Sequence, residues 1–242
     1  MIIEHRVYTM KPGNLDAFVD AQVERGFDSV APIMGNCAGY FATIAGPVTQ
    51  MLHLWVFDDL EDWRNRYNQL YTNDTLQPYF STVRPLMLAQ EVTMLAPAPL
   101  DALTPLWSAG EPAERDWRPG SGPVGDLGSA PDTIVEAETL SLVPGGLPAY
   151  WEACEASGIE AQRPLADNLL GTFFTLIGPL HEVTRLWRFK SLAERDAKHQ
   201  AAAASAAGRE HFRTIRPLST GIRTRLARPV RVAEMSPLFT MG

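Results

Sequence analysis

Two short stretches of this chain spell nearly the same strand, HLWVF at residues 53–57 and RLWRF at 185–189. Trp55 and Trp187 stand 132 residues apart, and that offset holds along both halves of the sequence. MKPGNLDAF (10–18) matches LVPGGLPAY (142–150), GYFATIAGP (39–47) matches GTFFTLIGP (171–179), and TVRPL (82–86) matches TIRPL (214–218). About two dozen identities over about 85 positions, with no insertion, mark the duplication of a whole folding unit rather than a recurring short motif. The fold must therefore accommodate two like units in one chain.

Each unit repeats one order of elements. In the first, a strand over about 2–10 ends at Lys11-Pro12-Gly13, and a helix over about 14–31 places Leu15, Phe18, Val19 and Val23 at near-helical spacing. Two strands joined by a turn at 45–49 follow, then a second helix capped by Asp58 or Asp59, then a last strand over about 86–95. The order β-α-β-β-α-β is that of a ferredoxin-like unit, whose sheet has helices on one face and a bare apolar face on the other. The predicted class is α+β, with two tandem ferredoxin-like units packed sheet to sheet. The predicted domains are 1–95 and 132–242. Residues 96–131, crowded with Pro and Gly, read as a connector pinned to the surface in places by Trp107 and Trp117.

Composition narrows the function classes. A formal net charge of -7 sets the surface as a whole against nucleic acid and anionic membranes. The longest apolar runs are far shorter than a membrane span, and Glu4, His5 and Arg6 interrupt the N-terminus where a signal peptide needs an apolar stretch, so a cytoplasmic protein is expected. Cys37 and Cys154 have no metal-ligand spacing and read as buried thiols. No nucleotide-binding, serine-hydrolase or zincin motif is present.

The run EHRVYTMKPG (4–13), GYF followed by GP (39–47), HLWVFDDLEDWRNR (53–66) and VRPL (83–86) resembles the NIPSNAP family, within the dimeric α+β barrel superfamily. The resemblance is strong over about residues 2–95 and weaker over about 133–235. It implies a fused pair of barrel halves, an internal pseudo-dimer in one chain, with a homo-oligomer beyond that pair left open. The superfamily spans cofactor-free monooxygenases, isomerases, haem-dependent enzymes and ligand binders, so fold alone selects no activity. The family pattern of Glu-x-Arg-x-Tyr and His-Leu-Trp is kept in the first copy at Glu4, Arg6, Tyr8, His53, Leu54 and Trp55. In the second copy Arg6 is replaced by Glu138, Tyr8 by Leu140 and His53 by Arg185.

Period-2 alternation puts Glu4, Arg6 and Tyr8 on one face of the first strand, and Met51, His53, Trp55 and Phe57 on one face of the third. His53, Tyr8 and Arg6 are the candidate catalytic residues, His53 as general base or acid. Tyr40, Trp55, Arg84 and Glu4 are candidates for substrate binding, Arg6 and Arg84 as anion-holding groups and Glu4 as the carboxylate that orients Arg6. Each has a bland alternative: a core histidine, an ion pair locking the sheets together, aromatic packing, or an arginine at a helix end. A metal site in the second copy would require two or more of His181, His199 and Glu138 to converge, which sequence spacing does not show.

Two expectations follow. One is a small-molecule enzyme of monooxygenase, isomerase or cyclase type, with no obligatory cofactor and its pocket between sheet and helices of the first copy. The other is a non-catalytic ligand-binding or interaction protein with an architectural second copy. A closed pocket with His53 in its wall would favour the first.

Overall fold

The computed structural model describes residues 1–107 and 132–239; Trp117 and most of the expected connector lie outside these. In the first repeat β1 (Ile2–Met10), α1 (Leu15–Arg25), β2 (Cys37–Ala45), β3 (Gln50–Phe57), α2 (Leu60–Thr72), α3 (Gln77–Val83) and β4 (Met87–Pro97) follow one another. The second repeat contains β5 (Ile134–Leu142), α4 (Leu147–Ala153), β6 (Leu169–Ile177), β7 (Glu182–Phe189), α5 (Leu192–Ala204), α6 (Ala206–Ile215) and β8 (Ser219–Pro229). Local chemistry sets the boundaries. Gly13 and Gly145 take φ of 84° and 79° in the turns after β1 and β5, a conformation that costs glycine little. The Asp59 carboxylate accepts from the Glu61 and Asp62 backbone N–H groups to start α2, and Ser191 does the same for α5 through Glu194.

The eight strands form one closed barrel in the order β1-β3-β2-β8-β5-β7-β6-β4, with β4 returning to β1. The repeats thus form the halves of one barrel, as the resemblance implies, and their sheets join edge to edge as well as facing each other. β2 pairs with β8 and β4 pairs with β6, antiparallel, so the repeats are joined through backbone hydrogen bonds at both edges. Closure leaves these strand ends no open edge and makes the two repeats one hydrogen-bonded unit.

Alternation then divides the side chains between two compartments. Ile3, Val7, Phe41, Leu52, Leu54, Phe173 and Leu186 fill the barrel, while Met10, Tyr40, Met51, Trp55 and Phe57 face the helices of the first repeat. The retained Phe41 and Phe173 are thus packing residues inside the barrel. Trp107 joins them rather than resting on the surface: it is 0% exposed, and its indole Nε1 donates to the Leu170 carbonyl at 2.5 Å.

The fold of the first repeat therefore runs past the expected boundary at 95. β4 extends to Pro97, a helical turn covers Asp101–Leu103, and Leu103 and Trp107 are buried. Residues 98–107 have their counterpart, at the same offset of 132, in 230–239, where TPLW (104–107) stands against SPLF (236–239). Among the described residues no helix is long and apolar enough to cross a membrane.

Candidate functional site

Strand register creates the site. Arg6 lies opposite His53 across β1 and β3, and His53 lies opposite Tyr40 across β3 and β2, so the three occupy one row on the helix-facing side. Tyr8 and Trp55, two residues along their strands, share that face. Helices α1 and α3 and the turn at Ala31–Met34 stand off from the sheet here and leave a cavity of about 410 Å³. Arg6, Tyr8, Tyr40, His53, Trp55 and Arg84 all line it.

Aromatic groups enclose the imidazole of His53, which is 1% exposed. Its ring centroid lies 4.0 Å from Tyr40, 4.3 Å from Tyr8 and 5.9 Å from Phe18. Neither ring nitrogen has a hydrogen-bond partner among the described residues. Burial, reinforced by the nearby charge of Arg6 and by His5, pushes its pKa well below the ordinary histidine value. At neutral pH the ring is therefore uncharged, with one nitrogen lone pair free to accept a proton.

Arg6 is 4% exposed and lies beside Glu4, Nη2 to Oε2 at 2.7 Å. Its Nη1 donates to the Tyr8 hydroxyl at 3.4 Å, and the guanidinium sits 5.6 Å from the Trp55 ring centroid and 5.2 Å from that of Tyr67. Arg6 Nε and Trp55 Nε1 are buried donors without an acceptor among the described residues. Such groups are expensive to bury unpaired, and both belong to residues that line the cavity. Burial raises the pKa of both Tyr8 and Tyr40, so their hydroxyls remain protonated. The thiol of Cys37, also in the wall, is raised in the same way and is no nucleophile at neutral pH.

Glu4 is fully buried and off the cavity lining; it stands behind Arg6 as a counter-ion, in place to orient it, rather than reaching a ligand itself. Glu4 and Arg6 also do not lock one sheet to the other, because they are neighbours on the outer face of one strand. Arg84 begins the helical turn after α3 and lies 4.9 Å from the Phe80 ring centroid.

Sequence reasoning missed Gln22, Arg25 and Tyr79, all of which line the cavity. Gln22 donates to the Tyr79 hydroxyl, and the Arg25 guanidinium stacks 4.6 Å from the Tyr79 ring centroid. A signal was present in the duplication: their counterparts in the second repeat are Cys154, Ser157 and His211, so all three diverged together. Among the described residues no three His, Cys, Asp or Glu side chains form a cluster able to hold a metal ion.

The NIPSNAP family model matches residues 3–100 and 135–234, covering both repeats. The chain belongs to the NIPSNAP family. An uncharacterized NIPSNAP-like domain protein from Burkholderia xenovorans is 32% identical over 40% of this chain and 85% of its own, with a TM-score of 0.39. A Lactobacillus acidophilus NCFM protein provisionally named a monooxygenase covers 94% of this NIPSNAP chain and 93% of its own at 8% identity, with a TM-score of 0.56. An anthrone oxidase-like protein covers 95% and 91% at 13% identity, with a TM-score of 0.51. At such identities these two full-length likenesses speak to the barrel fold alone. No match is found among curated proteins.

Proposed function

We propose that the first-repeat cavity is the site of a small-molecule enzyme that abstracts a proton from its substrate, in a monooxygenase, isomerase or cyclase type of reaction without an obligatory cofactor. The observation that carries this is the buried, uncharged His53, with no hydrogen-bond partner at either nitrogen among the described residues and set in a cavity wall beside an arginine. A ring held only for packing has no need of two polar atoms, each costly to desolvate without a partner.

The chemistry follows from the arrangement. The lone pair of neutral His53 takes a proton from an acidic O–H or C–H group of an aromatic or polyketide-like substrate. The anion so formed accepts hydrogen bonds from Arg6 and the Trp55 indole, donors already in place before charge develops. An adjacent anion also stabilises the new imidazolium, which offsets the weak basicity that burial imposes on the free enzyme. Glu4 keeps the Arg6 guanidinium on the sheet, and the aromatic walls exclude water. The full-length neighbours named for oxygenase or oxidase activity make oxidation of such a substrate the first class to assay.

Turnover should be sought with a panel of acidic phenols and enolisable ketones, and then compared in the variants. His53→Ala should lower kcat by about 10²–10⁴, the usual contribution of a general base, and Tyr8→Phe should lower it less. Unchanged turnover of an identified substrate in both variants would sink the proposal. Ligand binding without turnover in the native protein would leave a binding cup.

A further inference from the structure

The tails of the two repeats change sides. Beyond β4, Leu103 packs in the cluster of the second repeat with Tyr150, Trp187 and Phe189. Beyond β8, its counterpart Met235 packs in the cluster of the first repeat with Phe18, Met34 and Trp55, and is 1% exposed. The Val230 N–H donates to the carbonyl of Tyr40 at 2.9 Å, tying the second tail to a strand that carries the site. A helical turn at Ala233–Met235 then folds it compactly, and the Ser236 hydroxyl donates back to the Val230 carbonyl at 2.6 Å.

The consequences for the two helical layers differ. The first tail closes the core of the second repeat around Leu103, whereas the second tail borders open space: Ala233, Glu234, Met235 and Pro237 all line the cavity of the first repeat. The rest of the lining, among the described residues, comes from the first repeat itself. Methionine suits such a wall, because a flexible, polarisable thioether fits flat aromatic groups of varied outline.

We infer that the second repeat supplies a specificity-determining wall of the first-repeat site, with Met235 limiting the size of the apolar ligand group admitted and Ala233 and Glu234 forming part of the rim. The inference rests on the reading of this cavity as the ligand site, and it gives the diverged repeat a role beyond closing the barrel. A change of about one methylene in an apolar pocket alters selectivity roughly 10–200-fold, so substitutions in this tail should be felt in ligand choice.

The test uses the full chain and an anionic aromatic probe, 1-anilinonaphthalene-8-sulfonate, titrated by fluorescence, with thermal unfolding as the check on folding. Ala31 and Ala233 are both exposed lining residues, one from each repeat, so a tryptophan can be placed at either with little disturbance of the core. Ala233→Trp is expected to weaken probe binding at least tenfold, as is Ala31→Trp. If only Ala31→Trp weakens it, the tail is no part of the site and the inference fails while the site itself stands. If neither does, the probe does not enter the cavity and both ideas fall. Met235→Ala should in addition improve binding of the larger bis-anilinonaphthalene probe relative to the smaller one, and Met235→Leu should not; an unchanged ratio in Met235→Ala would remove Met235 from the role.

Discussion

The two repeats hold the same strands in the same register, yet their central polar rows are made of different groups. In the first, Arg6, His53 and Tyr40 stand side by side; in the second, the same row reads Glu138, Arg185 and Thr172. Arg185 and Glu138 neutralise each other in a direct ion pair, nearly buried, with Tyr150 in the place of Phe18. Glu136, the counterpart of Glu4, accepts from Arg195 at 3.0 and 2.7 Å, and His199 Nε2 lies 2.7 Å from the same carboxylate. Arg195 and His199 both reach it from α5, so this carboxylate clamps a helix onto the sheet. Both repeats bury an arginine–glutamate pair and leave an arginine Nε and an indole Nε1 without a partner among the described residues; the first differs in adding an unpaired imidazole, His53, to the wall of a cavity. A duplicated scaffold thus carries two different rows: an arginine stands in the second where the first places an imidazole beside a cavity.

The largest effect that could break this contrast lies in the second repeat. Glu138→Ala leaves Arg185 buried and uncompensated, which should cost about 3–5 kcal/mol in denaturant unfolding. Replacing both partners by apolar residues, Glu138→Met with Arg185→Leu, should restore most of that loss. If the double variant is no more stable than Glu138→Ala, the pair is not the self-contained unit described here.

A pH titration of stability gives a smaller effect. Unfolded histidine titrates near 6.5, while burial holds folded His53 well below that value. Between the two, the unfolded chain binds a proton that the native state refuses, so stability is full above about pH 6.5 and declines as pH falls. The slope is about 1.4 kcal/mol per pH unit for each such group. His5, lowered to about 4 by burial and by Arg225, and His211, lowered by burial and by Arg185, act in the same direction. The share of His53 is therefore the part of the slope that His53→Leu removes. A wild-type slope identical to that of His53→Leu would show that the ring titrates normally and undo the neutral-base reading.

Much of this molecule was legible in its sequence, and the gaps have physical causes. The duplication stood out because its identities fall on turns and packing positions, such as Gly13, Phe41 and Trp55, where shape leaves little choice. Period-2 alternation found the cavity-facing residues of β1 and β3, since a strand side chain has only two faces. The barrel itself was implied by the family resemblance, but which edges meet was hidden, because the β2–β8 and β4–β6 joins are made by backbone groups, which leave little trace in side-chain identity. The exchanged tails were hidden for another reason: 98–107 lies in a Pro-rich run, and its counterpart shares few letters with it beyond Pro-Leu. Arg25 and Tyr79 escaped because helical periodicity gives the buried face of a helix without saying where that face stands clear of the sheet.

The smallest effect separates the halves most sharply. Removing the imidazole of His53 takes away two buried polar atoms that have no partner among the described residues, and leucine fills a similar apolar volume. The desolvation penalty of those atoms disappears with them, so His53→Leu should leave the protein as stable as before or up to about 1 kcal/mol more stable at pH 7. The equivalent change in the second repeat, Arg185→Leu, strands the Glu138 carboxylate and should destabilise by several-fold more than that in magnitude. Denaturant unfolding of the two variants side by side measures the difference. A marked loss on His53→Leu would mean that the ring is bonded in solution and structural, and the contrast between the two rows would then disappear.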